Sequence, residues 1–405
     1  MSDSLFNCTL DEFRESQSIG SMRKAIGNNL RGFNHRQTPG AIPINKDTYG
    51  FTFFTRPQLN LRSVNIRNVR KFYDLLSTEE YSIQRFVRCT LDPRLEYRTN
   101  SKTDNADIVT TPLVDNKQAF IPLLTNSLVS LGGWPDLDLP TFTSKEGVYK
   151  ENYIQVDGIN ELYNTFDLTA SFNNTRGDPI IYLFYIWTKY MSYVFEGKLV
   201  PYQDFVVGNL LDYCTRIYRI VLDQHKRTIT KMTCTGIAFP VSVPLAQAFD
   251  YKNDKAYNDQ TKEVSIRFKC IGCEYYDPII PLEFNRTVEI FNPDMKCGYD
   301  GSGDPASAGM KKINANLLTA FNYRGYPRIN LDTHELEWWV DKETWEHISN
   351  RFIGDMGGGS YFIDYGKPIN NLSDSQKKEG KRKWLARNEH KYDSKTYADL
   401  LNQIS

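Results

Sequence analysis

The sequence predicts an α+β protein: a β-sandwich or β-barrel-like unit with one flanking helix, an N-terminal arm and a C-terminal extension. Three observations carry this. Glu263-Val264-Ser265-Ile266-Arg267-Phe268-Lys269-Cys270 alternates polar and apolar residues without a break, the period-two signature of a strand with one buried face. Ile180, Leu183, Phe184, Trp187, Tyr190, Met191 and Val194 recur at helical spacing. Asp178-Pro179 before them supplies an N-cap and a proline at the first helical position, and Gly197 supplies the stop. Ile217 to Leu222 and Thr228 to Met232, joined by the turn Asp223-Gln224-His225-Lys226, form a hairpin that runs into Ala238-Phe239-Pro240.

Taken in order, residues 1–60 read as an arm with little core of its own, because Gly20, Gly27, Gly32, Pro39, Gly40 and Pro43 interrupt any long element. Arg23, Lys24, Arg31, His35 and Arg36 make it locally basic, which suits a solvated arm or a contact with nucleic acid or an acidic partner. Phe51-Thr52-Phe53-Phe54 reads as a short strand ended by Pro57.

Residues 61–150 form a mixed inserted region. Ser77-Thr78-Glu79-Glu80 has the pattern of a capping box, predicting a helix through Tyr81, Ile83, Phe86 and Val87 that ends before Pro93. Residues 94–118 read as an exposed polar loop, and residues 120–136 as a compact irregular region around Trp134.

Residues 151–295 hold the β-unit, with Leu168 to Phe172 as a further strand and Asn173 to Gly177 as a turn. The second side of its helix carries Tyr182, Tyr185, Tyr193 and Phe195 where polar residues would face water, so that side is covered by its own domain or by a neighbour.

Residues 296–405 form the C-terminal extension. A Gly/Ser/Asp-rich connector at 297–309 leads to Trp338-Trp339 and to Asp341, an N-cap for a helix carrying Trp345, Ile348 and Phe352. The charged run at 374–393 reads as a solvated helix face.

The order "Ala-Phe-Pro, short Ser/Val-rich turn, Phe-x-Tyr, polar loop, alternating strand, aromatic end" is carried by Ala238, Phe239, Pro240, Phe249, Tyr251, Val264, Ile266, Phe268, Tyr275 and Tyr276. Over roughly residues 150–295 it resembles the tail-tube proteins of contractile-tailed bacteriophages and their relatives in the baseplate. The resemblance implies a hexameric ring whose inner strands join into a shared barrel around a channel for genomic DNA. It implies a virion structural protein with itself and other tail or baseplate proteins as partners. Ordinary members are much shorter, which favours a specialised layer such as a tube initiator or baseplate hub. A receptor- or carbohydrate-binding tail module is the alternative; it would place Trp338, Trp339 and Trp345 at a surface pocket.

Composition excludes some partners. Forty-nine basic residues balance forty-nine acidic ones, so no global field draws the chain to nucleic acid or an anionic membrane. Abundant Tyr (25) and Phe (23) suit cores and protein interfaces alike. No apolar run is long enough to span a bilayer and no basic leader precedes an apolar stretch, so the expected course is synthesis in the host cytoplasm followed by assembly into the virion tail, without membrane anchoring.

Candidate chemistry is sparse. His35, His225, His334, His347 and His390 are too dispersed for a helical two-histidine metal motif. Cys270-Ile271-Gly272-Cys273 has a chelating spacing but no second pair, so buried thiols are expected. Neither the glycines around Ser302 nor Gly357-Gly358-Gly359 has the ligands of a calcium or phosphate loop. The expectation is no enzyme, no cofactor and no metal. Function then rests on interfaces, with Trp187, Tyr185, Tyr193, Phe239, Pro240, Phe268, Tyr275 and Tyr276 as the structural or interface candidates.

Overall fold

The computed structural model describes residues 47–95, 109–158, 164–250, 262–314, 318 and 324–346. The basic stretch at 23–36, most of the loop expected at 94–118, and the charged run at 374–393 fall outside these residues, as do Ile348 and Phe352. Contacts group the chain into a unit ending at Thr48 and a second from Tyr49 to Ser405.

Beginning at Thr48 and leaving aside short helical turns such as Ser63–Ile66 and Leu245–Phe249, the main described elements run β1 (Thr48–Phe54), α1 (Ile83–Leu91), α2 (Pro122–Ser127), β2 (Leu128–Gly132), β3 (Thr141–Thr143), β4 (Ile154–Val156) and β5 (Thr165–Asn173). They continue through α3 (Pro179–Phe195), α4 (Gln203–Val207), β6 (Ile217–Leu222), β7 (Ile229–Ser242), β8 (Glu263–Tyr275) and α5 (Ile279–Phe291). Three short strands close the described chain: β9 (Lys311–Lys312), β10 (Tyr326–Ile329) and β11 (Leu336–Val340). The class is α+β, as expected. One six-stranded sheet, in the order β1-β6-β7-β8-β5-β2, dominates it. This sheet reaches beyond residues 151–295, because β1 and β2 form its two ends.

The alternating segment builds the middle of that sheet. Val264, Ile266, Phe268 and Cys270 are buried along β8 while Glu263, Ser265 and Arg267 are exposed. Antiparallel register sets Phe268 beside Leu168 of β5 and Pro240 of β7, and Cys270 beside Phe166 and Ala238. Residues opposite one another share a face, so these rows form one apolar surface. Helix α3 covers it: the Phe184 ring lies 5.8 Å from Phe172 and 5.7 Å from Phe268, and stacks on Trp187 at 6.0 Å.

Toward the start of β7 the pairing with β6 slips by one residue relative to the Ala238–Thr215 bridge, and there Cys234 pairs with Tyr218 and Met232 with Ile220. Helix α5 packs there, its Phe284 meeting Tyr218 edge-on at 5.3 Å. This second helix was not singled out from the sequence. Pro278 and Pro281 at its start resemble a turn, yet proline is tolerated in a first helical turn, where its missing N–H has no partner to lose. Asn285 of α5 donates to Ile329 O at 2.7 Å and accepts from Ile329 N at 2.8 Å, fastening β10 to the helix.

The two helices lie on opposite faces of the sheet, because the adjacent β1 residues that feed their cores point to opposite sides, and Arg56 joins those two cores. Phe54 belongs to the α3 core and Phe53 to the α5 core. Two residues on, the buried Arg56 guanidinium donates to five backbone carbonyls: Cys89, Thr90, Asp115, Asn116 and Gln118. Cys89 and Thr90 lie at the C-terminal end of α1, where unpaired carbonyls and the helix dipole favour a cation.

Several local expectations are corrected. The cap of α1 is Ser82, whose Oγ accepts from Arg85 N at 3.2 Å; Ser77 lies too early, and residues 77–80 are not helical. Asp178 occupies the N-cap position of α3 but does not cap it with its side chain, which instead accepts from Asn174 Nδ2 at 2.6 Å, with backbone φ of 51°. Residues 120–136 contain α2 and β2 rather than an irregular knot. Asp341 does accept from Thr344 N at 3.2 Å, ahead of a helical turn at 342–346. Trp338 and Trp339 are each 7% exposed in the α5 core, so the tryptophan surface pocket expected of a carbohydrate-binding module is absent at that pair.

Phe239 and Pro240 lie inside the long strand β7, not at a turn. Pro240 is buried with the apolar row, whereas Phe239 projects to the other face, half-buried, with Tyr213 edge-on at 6.0 Å. Phe268→Ala is therefore expected to cost about 3 to 5 kcal/mol in denaturant unfolding, and Phe239→Ala only about 1 kcal/mol. Equal losses would refute the assignment of faces. Arg56→Met is expected to cost at least about 3 kcal/mol, because it strands buried carbonyls, with Arg56→Lys, which keeps at most about three donors, falling between.

Candidate assembly surfaces

Opposite α3, the other face of β5, β8 and the end of β7 remains open. Over β5 and most of β8 its residues are polar and paired, whereas β7 contributes Ile237 and Phe239. Lys269 Nζ lies 2.9 Å from Asp167 Oδ1, and the Ser171 and Ser265 hydroxyls are 2.8 Å apart. Arg267 pairs with Thr169, and Ile271 and Ile237 stand opposite each other, both exposed. Charge on this surface is balanced, with Asp167 and Glu263 offsetting Arg267 and Lys269.

The sheet also has two ends. At the β1 end, Ile121 N donates to Phe54 O and Arg56 N to Ala119 O, at 2.9 Å each, so the last part of β1 is paired on its outer side. At the other end, β2 has no further strand among the described residues. An unpaired edge is a template for another chain.

Each end carries an apolar appendage. Beyond β2, strands β3 and β4 form a separate hairpin with Thr141 opposite Val156 and Thr143 opposite Ile154. The alternation Thr-Phe-Thr and Ile-Gln-Val favours strands, but every residue of both is exposed, including Phe142, Ile154 and Val156. An isolated two-stranded hairpin is marginal in water, so this arm needs a surface to lie on.

Next to the β1–β6 end, residues 200–211 form a ledge around α4. Val200, Val206, Val207, Leu210 and Leu211 are exposed, Val207 at 75%. A buried polar hub holds the ledge. Asp92 accepts from Leu61 N at 2.9 Å and from Tyr202 OH at 2.8 Å. Asp212 accepts from Tyr190 OH, which in turn accepts from Asn60 N at 3.1 Å. Two consecutive amides, Asn60 and Leu61, thus tie both carboxylates to the segment after β1. Arg94 pairs with Asp204 at 2.8 Å and lies 4.9 Å over Tyr202 and 5.0 Å over Phe205.

Burial pushes both the Asp92 and Asp212 carboxyls up to about 6. The thiols behave similarly: burial raises Cys270 to about 12 and raises Cys273 as well, leaving neither primed as a thiolate ligand. Among the described residues no group of three or more His, Cys, Asp or Glu is placed to hold a metal, and no helix is long and apolar enough to cross a membrane.

A family model described as "Putative phage tail tube protein" matches residues 2–352. The chain belongs to this family. It is a structural protein of the phage tail, and its family is a structural one. No curated protein matches the chain. Among solved structures, the cryo-EM structure of the anti-feeding prophage cap, a tube-terminating cap, is similar at 12% identity over 39% of this chain and 81% of that one. Its TM-score of 0.23 gives that likeness no weight.

The candidates drawn from the sequence of this family member divide by face. Trp187, Pro240 and Phe268 are buried in the core beneath α3, so none of them can meet a partner; Trp187 Nε1 donates to Tyr213 O at 2.9 Å. Tyr185 is half-buried, and Tyr193 is half-buried against Phe72 at 5.5 Å, so its own domain covers part of the tyrosine side while Phe195 stays exposed. Tyr275 anchors the start of the arm through its OH to Pro135 O at 2.7 Å, and Tyr276 is exposed. The arm and the ledge were missed. The Thr-Phe-Thr and Ile-Gln-Val pair flanking a polar run with Gly147 was the available signal for the first.

The raised carboxyls set a pH dependence. A carboxyl whose folded value lies above its unfolded 3.8 contributes stability that is fully present below about 4 and lost as pH rises through about 6. Their share of stability should therefore fall between pH 4 and pH 7. Asp212→Asn should flatten that part of the pH profile in denaturant unfolding; an unchanged profile would show that Asp212 is not the titrating group.

Proposed function

We propose that this tail protein assembles as a ring, with six copies as the expected number, around the channel through which genomic DNA passes. The observation that carries this is the open face opposite α3: it is polar over β5 and most of β8 and continues onto the end of β7 through Ile237 and Phe239. In a ring, neighbouring copies set their sheets end to end and the open faces line a common channel. Balanced charge on that face suits passage, because DNA phosphates would meet no excess of lysine or arginine to hold them. The ends of the sheet supply the joints, since an unpaired edge such as that of β2 is satisfied by another chain.

The layer we propose is a tube initiator or central baseplate hub of a contractile tail. The hairpin arm, the ledge and the α5 core with its three short strands are additions around the sheet that suit contacts with other tail and baseplate proteins. With function resting on shape and interfaces, we propose no catalytic centre, no cofactor and no membrane anchor, and synthesis in the host cytoplasm before incorporation into the virion.

Imaging of intact particles, with the copy number measured in the same preparation, tests this. The expected result is a closed ring on the tail axis with six copies per layer. A peripheral fibre position, with copies unrelated by an axial ring, would defeat it.

A further inference from the structure

The arm and the ledge are rooted at opposite ends of one sheet. The arm follows β2 and precedes β5, the two strands at one end; the ledge precedes β6 and is fastened to the segment after β1, the two strands at the other. That fastening is direct, because Gln58 N donates to Asp212 O at 3.0 Å and Asn60 Nδ2 to Val200 O at 2.8 Å. The register places the roots along a common row. Thr165 at the start of β5 stands beside Ile271 of β8, which stands beside Ile237 of β7, and the next residue, Ala238, bridges to Thr215 just before β6.

In a head-to-tail ring, the β2–β5 end of one copy faces the β1–β6 end of the next, which brings one copy's arm to its neighbour's ledge. We propose that the β3–β4 hairpin of one copy docks on the 200–211 ledge of the adjacent copy. The inference rests on the ring reading and adds the contact that joins its members. Chemistry matches on both sides. The arm offers Phe142 on one face and Ile154 and Val156 on the other, all of them exposed among the described residues, and the ledge offers a row of exposed Val and Leu side chains. The occupant gains as much as the host, since a two-stranded hairpin needs a further strand or a surface packed on its face. The hub beneath the ledge holds that surface in place before the arm arrives, which lowers the ordering cost of docking.

The test is photo-cross-linking in assembled particles, with p-benzoylphenylalanine in place of Phe142 and the adducts mapped by mass spectrometry. Adducts to residues 200–211 of a second copy are expected. A ring in which the adducts fall elsewhere on a neighbour, or on another protein, overturns the docking and leaves the ring intact; absence of a ring overturns both. A second pair of variants separates docking from folding. Val207→Asp and Ile154→Asp each change an exposed side chain, so both proteins should unfold at the parent temperature yet fail to form rings. A mixture of the two restores one arm-to-ledge joint per pair and should give one-to-one heterodimers. Normal assembly by Val207→Asp would refute the proposal.

Discussion

The buried guanidinium of Arg56 is the contact on which the rest of the structure depends. It sits just beyond β1, where adjacent residues feed separate cores, Phe53 toward α5 and Phe54 toward α3. Its donors collect carbonyls from the end of α1 and from residues 115–118, segments far apart in sequence. The bonds to Cys89, Thr90 and Asn116 satisfy carbonyls in buried surroundings, and all five together spread the charge over several dipoles. A hydrophobic residue could fill the same volume but would leave those carbonyls unpaired. Because the guanidinium fixes β1 against α1, it also sets where the segment 57–61 runs, and that segment grips the ledge.

The sheet built on this frame is asymmetric. Helix α3 covers one face over β5, β8 and the end of β7, and α5 covers the other over β1, β6 and the start of β7, which leaves the face of β5 and β8 opposite α3 uncovered. The paired Ser, Thr and charged residues that β5 and β8 present on that face are stable in water. Unpaired strand edges and an isolated hairpin are not comfortable in the same way, since their backbone groups and apolar side chains gain from a partner. A structural protein of a phage tail meets that need by assembly, and the same features that leave one copy incomplete give neighbouring copies their means of attachment.

Much of the sheet was legible in the sequence because its signals are local. The alternation from Glu263 to Cys270 and the helical spacing from Ile180 to Val194 each report which side chains one packed surface receives. Phe239 shows the limit of such reading. Its place in an Ala-Phe-Pro motif marked it as important, yet the face it occupies is decided by the register of β7 on β8, a long-range property. Arg56 was invisible for a related reason: nothing near it in sequence announces five carbonyl acceptors drawn from two distant segments. Helix α5 was hidden by prolines that its first turn tolerates, and Ser77 looked like a cap although Ser82 makes the bond. The ledge left no motif at all, since exposed Val and Leu residues gain meaning only when the fold shows them side by side.

The central claim is that the uncovered parts of this chain are completed by neighbouring copies. Amide hydrogen exchange, compared between the free protein and assembled particles, addresses it most directly. The account predicts that the amides of β2 and of the β3–β4 hairpin exchange much more slowly after assembly, while those of β8, already paired on both sides, change little. If β2 and the hairpin exchange as fast in the particle as in the free protein, those surfaces are not joints and the account is contradicted.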